Sequence, residues 1–381
     1  MSWECRTVEE QREQFVIAAK RSKNFSAVCR EFGITRKTGY KWLKRYESGE
    51  PMSDRSRAPL TTANKTVQEK EQLILNVRSE NPGWGARRIH RVLLDEGYTD
   101  LPCVKTVNNI LNRNGCIESE ESEKRKPYIR YAMEHSNDMW QTDFKGDFLL
   151  NNGKRCYPLD ILDDCTRFSI AIRPAETTAG VVIPAFEAAF LEYGLPKAVL
   201  SDNGAQFAGF RQGYTSFEKW LMDLDILPIH GRIYHPQTQG KIERFHRTMK
   251  SELLKYNTFD NIQEADKAFQ GWRTKYNTVR PHEALNMHRP ADVYIPSSRK
   301  YPDKIHEYEY SGQYHVIKVN SWGYIRFANF QMYLSETMIG EKIEFRPSED
   351  DTKFYLCYRN FKIAEYDAAT GKRINRRIQR L

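Results

Sequence analysis

Three carboxylate residues are placed where they could carry out metal-dependent chemistry. Asp143 lies within a strand-like segment, Asp202 follows the short apolar run 198–200, and Glu243 falls in the first turn of a helical pattern. Ligand sites of α/β sheets form at the ends of parallel strands, and a neighbouring strand can contribute to the same edge. Three carboxylates can hold two Mg²⁺ ions, or Mn²⁺ in their place, about 3.5–4 Å apart. One ion then activates a water or a sugar hydroxyl and the other stabilises the leaving oxygen of a phosphodiester, so no covalent nucleophile is needed.

Four further acidic residues in the same part of the chain rank below these three. Most carboxylates near the ends of strands are solvated or cap turns, so their presence alone does not indicate a metal site. They are Asp147, Asp160, Asp163 and Asp164.

The helical pattern that contains Glu243 also carries basic residues. Arg247 at i+4 and Lys250 at i+7 fall on its face and could contact phosphate groups near the metal ions, and Lys241 is a further candidate. A salt-bridged surface helix explains any one of these cations about equally well. His246 could orient DNA or simply pack.

Strand and helix patterns around the carboxylates predict a catalytic core over residues 134–292. A turn at 151–153 favours antiparallel pairing of the first strands, and helices then alternate with short parallel strands. The predicted strands are Trp140–Leu150, Cys156–Leu162, Arg167–Arg173, Ala198–Leu200 and Leu227–His230, and the predicted helices are 179–193, 216–224 and 241–255. A mixed five-stranded α/β sheet of this kind is the ribonuclease H-like architecture.

Residues 1–50 have the pattern of a helix-turn-helix domain, which a linker at 51–63 follows. Two helical patterns come first, and the second of them ends at Gly33. A basic helix follows directly. This helix is expected to turn Tyr40 and Leu43 inward. Its outward cations are Arg36, Lys37, Lys41 and Lys44. A basic helix after a turn glycine is typical of a recognition helix in the major groove of DNA, and a plain three-helix bundle with a charged face is the alternative.

A second helix-turn-helix domain is predicted at 64–116, before an exposed linker at 117–133. Helical patterns cover 66–80, 84–94 and 102–111. The positive face of this domain would come from Arg87, Arg88 and Arg91.

Short alternating runs beyond Pro290 predict a small C-terminal β-barrel at 305–370, followed by a basic tail at 371–381 that offers phosphate contacts. The expected strands are Tyr314–Val319, Tyr324–Phe327, Met332–Leu334, Lys342–Arg346 and Phe354–Arg359. The chain is therefore expected to be multidomain. It would combine two all-α helix-turn-helix domains, a ribonuclease H-like α/β core and a small β-barrel.

The charge of the chain is unevenly distributed. The net charge is +9, yet residues 134–292 carry 19 basic and 21 acidic residues, so the flanks are the basic part. Basic flanks suit a polyanion such as nucleic acid, and an acidic centre suits a divalent metal. No apolar stretch approaches the length of a membrane span, and seven scattered cysteines without a C-x-x-C pair argue against disulfides or a structural zinc site. We therefore expect a cytoplasmic protein.

Several segments resemble the Asp-Asp-Glu catalytic core of retroviral-integrase-like insertion-sequence transposases. They are Trp140-Gln141-Thr142-Asp143, the run SDNGAQF at 201–207 and the run QGKIERFHRTMK at 239–250. Residues 29–43 and the run WGARRI at 84–89 resemble the tandem DNA-binding modules of a bacterial branch of that family. The resemblance implies Mg²⁺-dependent cleavage at terminal inverted repeats and joining of the 3′-hydroxyl to target DNA. It also implies a dimer or larger synaptic complex at the bacterial nucleoid.

One interval departs from the pattern of the family. Forty residues lie between Asp202 and Glu243, which is more than is usual. The extra length is expected in a loop insertion at Gly209–Gly213.

Two other functions compete with transposition. A DNA-binding regulator with an inactive core is one, although loss of activity has no reason to spare all three carboxylates. A ribonuclease H-like nuclease for RNA in hybrids is the other, although helix-turn-helix modules suit duplex major grooves rather than A-form grooves.

Overall fold

The computed structural model describes residues 7–55, 66–117, 133–209, 213–231, 240–327 and 329–381. The chain divides into two compact units, residues 1–65 and 66–381. Most of the predicted linkers at 51–63 and 117–133, and the middle of the predicted insertion, lie outside the described residues. No helix in the described ranges has the length and hydrophobicity needed to cross a bilayer.

The first unit contains the three helices that the sequence predicts. They are α1 (Val8–Arg21), α2 (Phe25–Glu31) and α3 (Arg36–Glu47). Thr7, Asn24 and Thr35 cap them, each side chain accepting a hydrogen bond from a backbone N–H in the first turn. Gly39 lets α3 pack closely, because a Cβ there would lie 2.8 Å from Cys29 Sγ and from the Phe15 ring.

The inward face of α3 differs in part from the expectation. Trp42 is buried, beneath the guanidinium of Arg12 at 3.9 Å, whereas Tyr40 is half exposed and stacks on Phe25 with ring centroids 4.3 Å apart. The larger indole fills the core of the bundle, so the prediction for Tyr40 was wrong. All four predicted cations of this helix are exposed, namely Arg36, Lys37, Lys41 and Lys44.

The second unit begins with another group of three helices around its own apolar core. They are α4 (Gln68–Glu80), α5 (Ala86–Asp95) and α6 (Val104–Arg113). The core is built from Ile74, Trp84, Ile89, Leu93, Ile110 and their neighbours.

The mixed five-stranded sheet of the central core is confirmed. Its strands are β1 (Trp140–Phe144), β4 (Leu159–Asp163), β5 (Ser169–Arg173), β6 (Ala198–Ser201) and β7 (Leu227–His230), and a short hairpin of β2 (Phe148–Leu149) and β3 (Arg155–Cys156) lies apart. The order is β5-β4-β1-β6-β7, with β5, β4 and β1 antiparallel and β1, β6 and β7 parallel. Asp143 therefore pairs directly with Asp160 across β1 and β4.

Helices cover both faces of this sheet. They are α7 (Val182–Tyr193), α8 (Ser216–Asp223), α9 (Gly240–Met249) and α10 (Ile262–Thr278). Helices α7 and α8 pack with Ile161 on one face, and α9 and α10 pack with Leu162 on the other, as the alternation of a strand requires. The predicted helix 241–255 ends its α-helical part at Met249 and continues as the π-helical turn Lys250–Leu254.

The predicted C-terminal β-barrel was wrong, because the described strands form an open sheet. They are β8 (His315–Lys318), β9 (Tyr324–Phe327), β10 (Phe330–Tyr333), β11 (Lys342–Pro347), β12 (Lys353–Tyr358), β13 (Phe361–Asp367), β14 (Arg373–Asn375) and β15 (Gln379–Arg380). The main sheet runs β14-β13-β12-β11-β8 with β15 also on β13, while β9 and β10 pair only with each other. That hairpin packs Phe327 on Phe345 instead of closing the sheet.

The basic tail is partly bound to the protein rather than available to phosphate. The guanidinium of Arg376 donates to the backbone carbonyls of Gly209 and Gly213 and lies 4.1 Å from the centroid of the Tyr214 ring. Arg380 lies 3.0 Å from the carboxylate of Asp225. Arg376, with a side chain 16% exposed, is therefore held against the core, whereas Arg380 has a side chain 43% exposed and its phosphate contact stays a prediction. Lys372, Arg373 and Arg377 are exposed.

The described ends of the predicted insertion hold the C-terminal sheet. Gly213 has φ 93°, and a Cβ there would lie 2.2 Å from the carbonyl oxygen of Leu334. Tyr214 is buried among residues of the sheet, and its hydroxyl donates to the carbonyl of Ile363 at 2.7 Å. Gly213 and Tyr214 thus attach the C-terminal sheet to the core.

The second helical domain is docked on the core. Lys275 of α10 donates to the carbonyl of Glu80 at 2.8 Å, and Gly83 lies against the backbone of Ser251. Arg88 points toward Arg280 and Glu252, and burial lowers its pKa to about 10. Arg88 therefore does not belong to an open cationic face, contrary to the expectation.

The other two cations predicted for this face, Arg87 and Arg91, have different environments from Arg88. The Nε of Arg91 lies 2.9 Å from the carboxylate of Asp95 on the same helix, so its charge is already paired. Arg87 is exposed. The positive face of this domain is thus smaller than the sequence suggests.

Replacing Glu252 with glutamine should lower the free energy of unfolding by about 3 kcal/mol, because breaking a buried ion pair leaves an uncompensated charge. Glu252 and Arg280 lie 2.9 Å apart with side chains only 8% and 6% exposed. Urea unfolding measures the change. The matched control is Glu176→Gln, which removes an exposed partner of Lys154 and should cost less than about 1 kcal/mol. Equal effects of the two substitutions would contradict the prediction.

Candidate active site

Asp143 lies at the centre of a cluster of ionisable groups on β1. Its Oδ2 lies 3.9 Å from Nδ1 of His246, and Nε2 of the same ring lies 2.9 Å from Oδ2 of Asp160. Asp160 is fully buried. The imidazole of α9 therefore sits between two carboxylates that the strand register places side by side.

Burial, together with the negative charges of Asp202 and Asp160, raises the pKa of Asp143 to about 6, although His246 acts in the opposite direction. Strands β1 and β6 pair in parallel with Gln141 opposite Leu200, so Asp143 and Asp202, each two residues further along, lie at the same edge of the sheet. The structure thus brings together two of the three predicted site residues.

Asp202 is fixed by the turn that follows β6. Its Oδ1 accepts a hydrogen bond from the Gly204 N–H at 2.9 Å, and Asn203 Nδ2 donates to the carbonyl of Gly231 at 2.9 Å. Behind the turn, Ser201 Oγ lies 3.1 Å from Nδ1 of His230. Asn203 and Gly204 thus shape the loop that holds Asp202.

Glu243 occupies the first turn of α9, as predicted, and its side chain is exposed. Within the described part of the chain, no three carboxylate, histidine or cysteine side chains are close enough together to hold a metal ion. Glu243 is thus not gathered with the two aspartates, and residues 232–239, which precede α9, lie outside the description. His246, one turn further along the helix, does reach Asp143, so Glu243 lies on the side of α9 near the site.

The predicted cations of α9 have different environments. Arg247 and Lys250 are exposed, on the same side of the helix as Glu243. Lys241 is instead largely buried, with a side chain 15% exposed that forms an ion pair with Asp164. Its predicted contact with phosphate is therefore not supported by its placement.

Lys145 is a residue near the site that the sequence analysis missed. Burial lowers its pKa, the charge of Asp160 acts against that effect, and the charge of Lys250 adds to it. Lys145 therefore lies near both the acidic cluster and the exposed cations of α9. The signal was available, since Lys145 is two residues from Asp143 and residues i and i+2 of an extended strand share a face.

The other acidic candidates have partners that explain them without a metal. Asp163 accepts hydrogen bonds from the Asn137 N–H at 2.8 Å and from the Thr166 hydroxyl at 2.7 Å. Asp147 forms an ion pair with Arg155. Their ranking below Asp143 and Asp202 is consistent with these contacts.

In metal-free buffer at pH 7.5, Asp143→Asn should raise the free energy of unfolding by about 3 kcal/mol, since the pKa of Asp143 rises from 3.8 to about 6 on folding and one pKa unit corresponds to about 1.4 kcal/mol. The folded-state pKa of about 6 lies above the ordinary value of 3.8, so the folded protein binds more protons than the unfolded chain between these pH values. Stability of the wild type therefore falls as pH rises through this window. Urea unfolding in the presence of EDTA should show that the extra free energy of unfolding of Asp143→Asn decreases from pH 6 to pH 4. A gain that does not depend on pH would contradict the assignment.

Comparison with known proteins places this site in a family. Models described as "Integrase core domain" match residues 133–236 and 224–290. A "Helix-turn-helix domain" model matches residues 11–59, and a "Homeodomain-like domain" model matches residues 38–111.

Curated relatives come from insertion elements. An uncharacterized 31.7 kDa protein of insertion element IS407 from Burkholderia multivorans is 29% identical over 245 residues, covering 62% of this chain and 86% of the relative. Transposase InsD of insertion element IS2 from Escherichia coli is 26% identical over 235 residues, covering 58% of this chain and 76% of that protein. Among solved structures, the HTLV-2 integrase catalytic core in complex with magnesium is 18% identical, with a TM-score of 0.34, and the match covers 42% of this chain and 99% of that one. The chain contains an integrase core domain and helix-turn-helix domains and is similar to insertion-element transposases.

Proposed function

We propose that this protein binds the terminal inverted repeats of its insertion element, cleaves the DNA ends and joins the 3′-hydroxyl to target DNA. The observation that supports the proposal most directly is the parallel pairing of β1 with β6, which brings Asp143 and Asp202 to one edge of the sheet, where the charge of Asp202 raises the pKa of Asp143. The two carboxylates repel each other, and a divalent cation between them would relieve the repulsion. Chromosomal DNA as substrate would place the protein in the bacterial cytoplasm, at the nucleoid.

The chemistry of the proposed ligands suits magnesium. Carboxylate oxygens are hard ligands of the kind that Mg²⁺ and Mn²⁺ prefer, and the high pKa of Asp143 reflects a buried negative charge without a full counter-charge. Asp143, Asp202 and Glu243 would hold two ions. When bound, the ions supply activation of the attacking oxygen and stabilisation of the leaving oxygen. Their number and the participation of Glu243 are part of the proposal.

The chain's own residues would bind and orient the DNA. Arg247 and Lys250, exposed beside Glu243, would contact the phosphates that flank the scissile bond, and Lys145 would add to this positive surface. Helix α3 would enter the major groove at the terminal repeat. Its exposed cations are Arg36, Lys37, Lys41 and Lys44. Arg87, which is exposed, would also contact DNA, whereas Arg91 would do so less readily because it already pairs with Asp95.

Incubating the purified protein with labelled terminal-repeat DNA and Mg²⁺ tests the proposal. A strand-transfer product on a target plasmid, absent when EDTA is added, is expected. Binding of the repeat without any cleavage would instead favour a DNA-binding regulator. Selective cutting of RNA in an RNA–DNA hybrid would favour a ribonuclease H-like nuclease.

Removing both Lys37 and Lys41 should weaken binding to the terminal repeat by about 10- to 100-fold, since base contacts are worth roughly 1–3 kcal/mol each and phosphate contacts add to them. Fluorescence anisotropy with specific and random duplexes measures the loss. Single changes at Lys372 or Arg373, which are exposed near the C-terminal edge strand, are the controls and should have smaller effects. Equal losses on specific and random DNA would mean that α3 contacts no bases.

A further inference from the structure

Side chains from three segments meet beneath the first turn of α9. Gln141 of β1 donates through Nε2 to Oδ1 of Asp164 at 2.6 Å and accepts through Oε1 from the Ile242 N–H at 3.2 Å. Lys241 Nζ donates to the carbonyl oxygen of Asp164 at 3.1 Å and forms an ion pair with its carboxylate. The Met133 N–H also donates to that carboxylate, at 2.9 Å.

This network is buried, with Gln141 only 1% and Asp164 only 2% exposed. A buried ion pair is seldom a net source of stability, because desolvation of the two charges offsets most of their attraction. Both oxygens of the Asp164 carboxylate have partners, and the ammonium of Lys241 is directed at this residue. Lys241 is therefore held inside the protein rather than presented to a phosphate.

The network also satisfies the beginning of the helix. The first N–H groups of an α-helix have no partner within the helix, and Gln141 supplies one for Ile242. A lysine in the first turn is disfavoured by the helix dipole, whereas a carboxylate beside that turn is favoured. The carboxylate of Asp164 thus offsets the unfavourable interaction of the Lys241 ammonium with the helix dipole.

The spacing along the chain links the network to the site. Gln141 precedes Asp143 by two residues on β1, and Lys241 precedes Glu243 by two residues on α9. We propose that Gln141, Asp164 and Lys241 are positioning residues that fix the first turn of α9 against β1 and so hold Glu243 in register with Asp143. This inference rests on the proposed function for its effect on cleavage. The contacts themselves do not depend on it.

The kinetic test separates positioning from phosphate binding. Lys241→Met and Asp164→Asn should each lower kcat about 10- to 100-fold, the usual range for groups that orient metal ligands, while Kd for terminal-repeat DNA changes little. The salt dependence of Kd should also be unchanged. Lys250→Met is the matched control, because loss of an exposed phosphate contact should reduce the slope of log K against log salt by about 1.

The conservative change Lys241→Arg keeps the charge and a donor to Asp164, so it should recover part of the kcat lost in Lys241→Met. Circular dichroism identifies any variant that fails to fold. If Lys241→Met does not fold, the kcat of Lys241→Arg tests whether Lys241 is a positioning residue. A Lys241→Met protein with normal kcat and a reduced salt slope would overturn the inference.

Hydrogen exchange provides a readout that needs no catalysis. Gln141→Leu and Asp164→Asn should speed exchange of the Ile242 amide in metal-free protein, while amides in the middle of α10 keep their protection. Unchanged exchange at Ile242 in both variants would overturn the inference whether or not the protein cleaves DNA. The wild-type protein could fail to cut DNA while the variants still show faster exchange at Ile242. That result would support the positioning network and contradict the proposed function.

Discussion

Replacement of Asp143, Asp202 or Glu243 by its amide is expected to lower Mg²⁺-dependent cleavage of terminal-repeat DNA by at least about a thousandfold, because metal ions contribute several kcal/mol of charge stabilisation to the transition state. An amide keeps the size of the side chain and removes the negative oxygen that a hard cation needs. Binding of the repeat should stay near the wild-type level, because α3 lies in a separate unit. A gel assay of cleavage beside an anisotropy assay of binding measures both.

The control for this prediction is Asp147→Asn, which removes an acidic residue near the core whose partner is Arg155. Its effect on cleavage should be less than about threefold, as for most surface substitutions. Asp160, Asp163 and Asp164 are poorer controls than the sequence suggested, because each is buried. We still expect their loss to affect cleavage less than loss of a metal ligand. If any of the three amide variants cut at near wild-type rate, that residue is not a ligand.

Two defective proteins should restore cleavage when they are mixed. One is full-length Glu243→Gln, which keeps the end-binding helices but cannot cut. The other is a wild-type chain of residues 66–381, which keeps the second compact unit and lacks the first. Each should be nearly inactive alone, and the mixture should recover cleavage, because the proposed joining reaction needs two ends and one subunit can bind an end that another cuts.

The isolated segment 134–292 is a poor choice for such a mixing experiment. Its net charge is slightly negative, so phosphates should repel it. The structure adds a second reason, since Tyr214 and Met222 of the core belong to the apolar cluster of the C-terminal sheet. Removing that sheet would expose them. Mixtures that stay inactive, or a fully active complex that is monomeric by light scattering, would contradict assembly across subunits.

Local patterns in the sequence were enough to predict much of the fold. Alternating apolar residues and turns predicted the central strands and the mixed sheet that they form, and the positions along the strands predicted Asp143 and Asp202 at one edge. What the sequence could not provide were partners far apart in the chain. Lys241 looks like a surface cation until Asp164, 77 residues away, is seen beside it. The sequence alone could not show this tertiary contact, so it did not predict that Lys241 is buried.

The C-terminal sheet illustrates a second limit. Alternation identified the first five of its strands to within a few residues, but β13, which begins at Phe361, was missed. That strand pairs with β12, β14 and β15, so it extends the sheet outward. Whether a sheet closes depends on such pairings and not on the alternation within each strand.

The attachment of Arg376 to Gly209 and Gly213 has a consequence for the order of folding during protein synthesis. These contacts span 167 and 163 residues, so the core reaches its final packing only after the chain has been translated past Arg376. Residues 7–55 contain all of their own apolar core and can fold while the ribosome is still at work. A chain whose translation stops within the C-terminal sheet would therefore keep the DNA-binding helices and lack a finished nuclease. Under the proposed function, such a product would occupy transposon ends without cutting them and act as a dominant inhibitor of the complete protein.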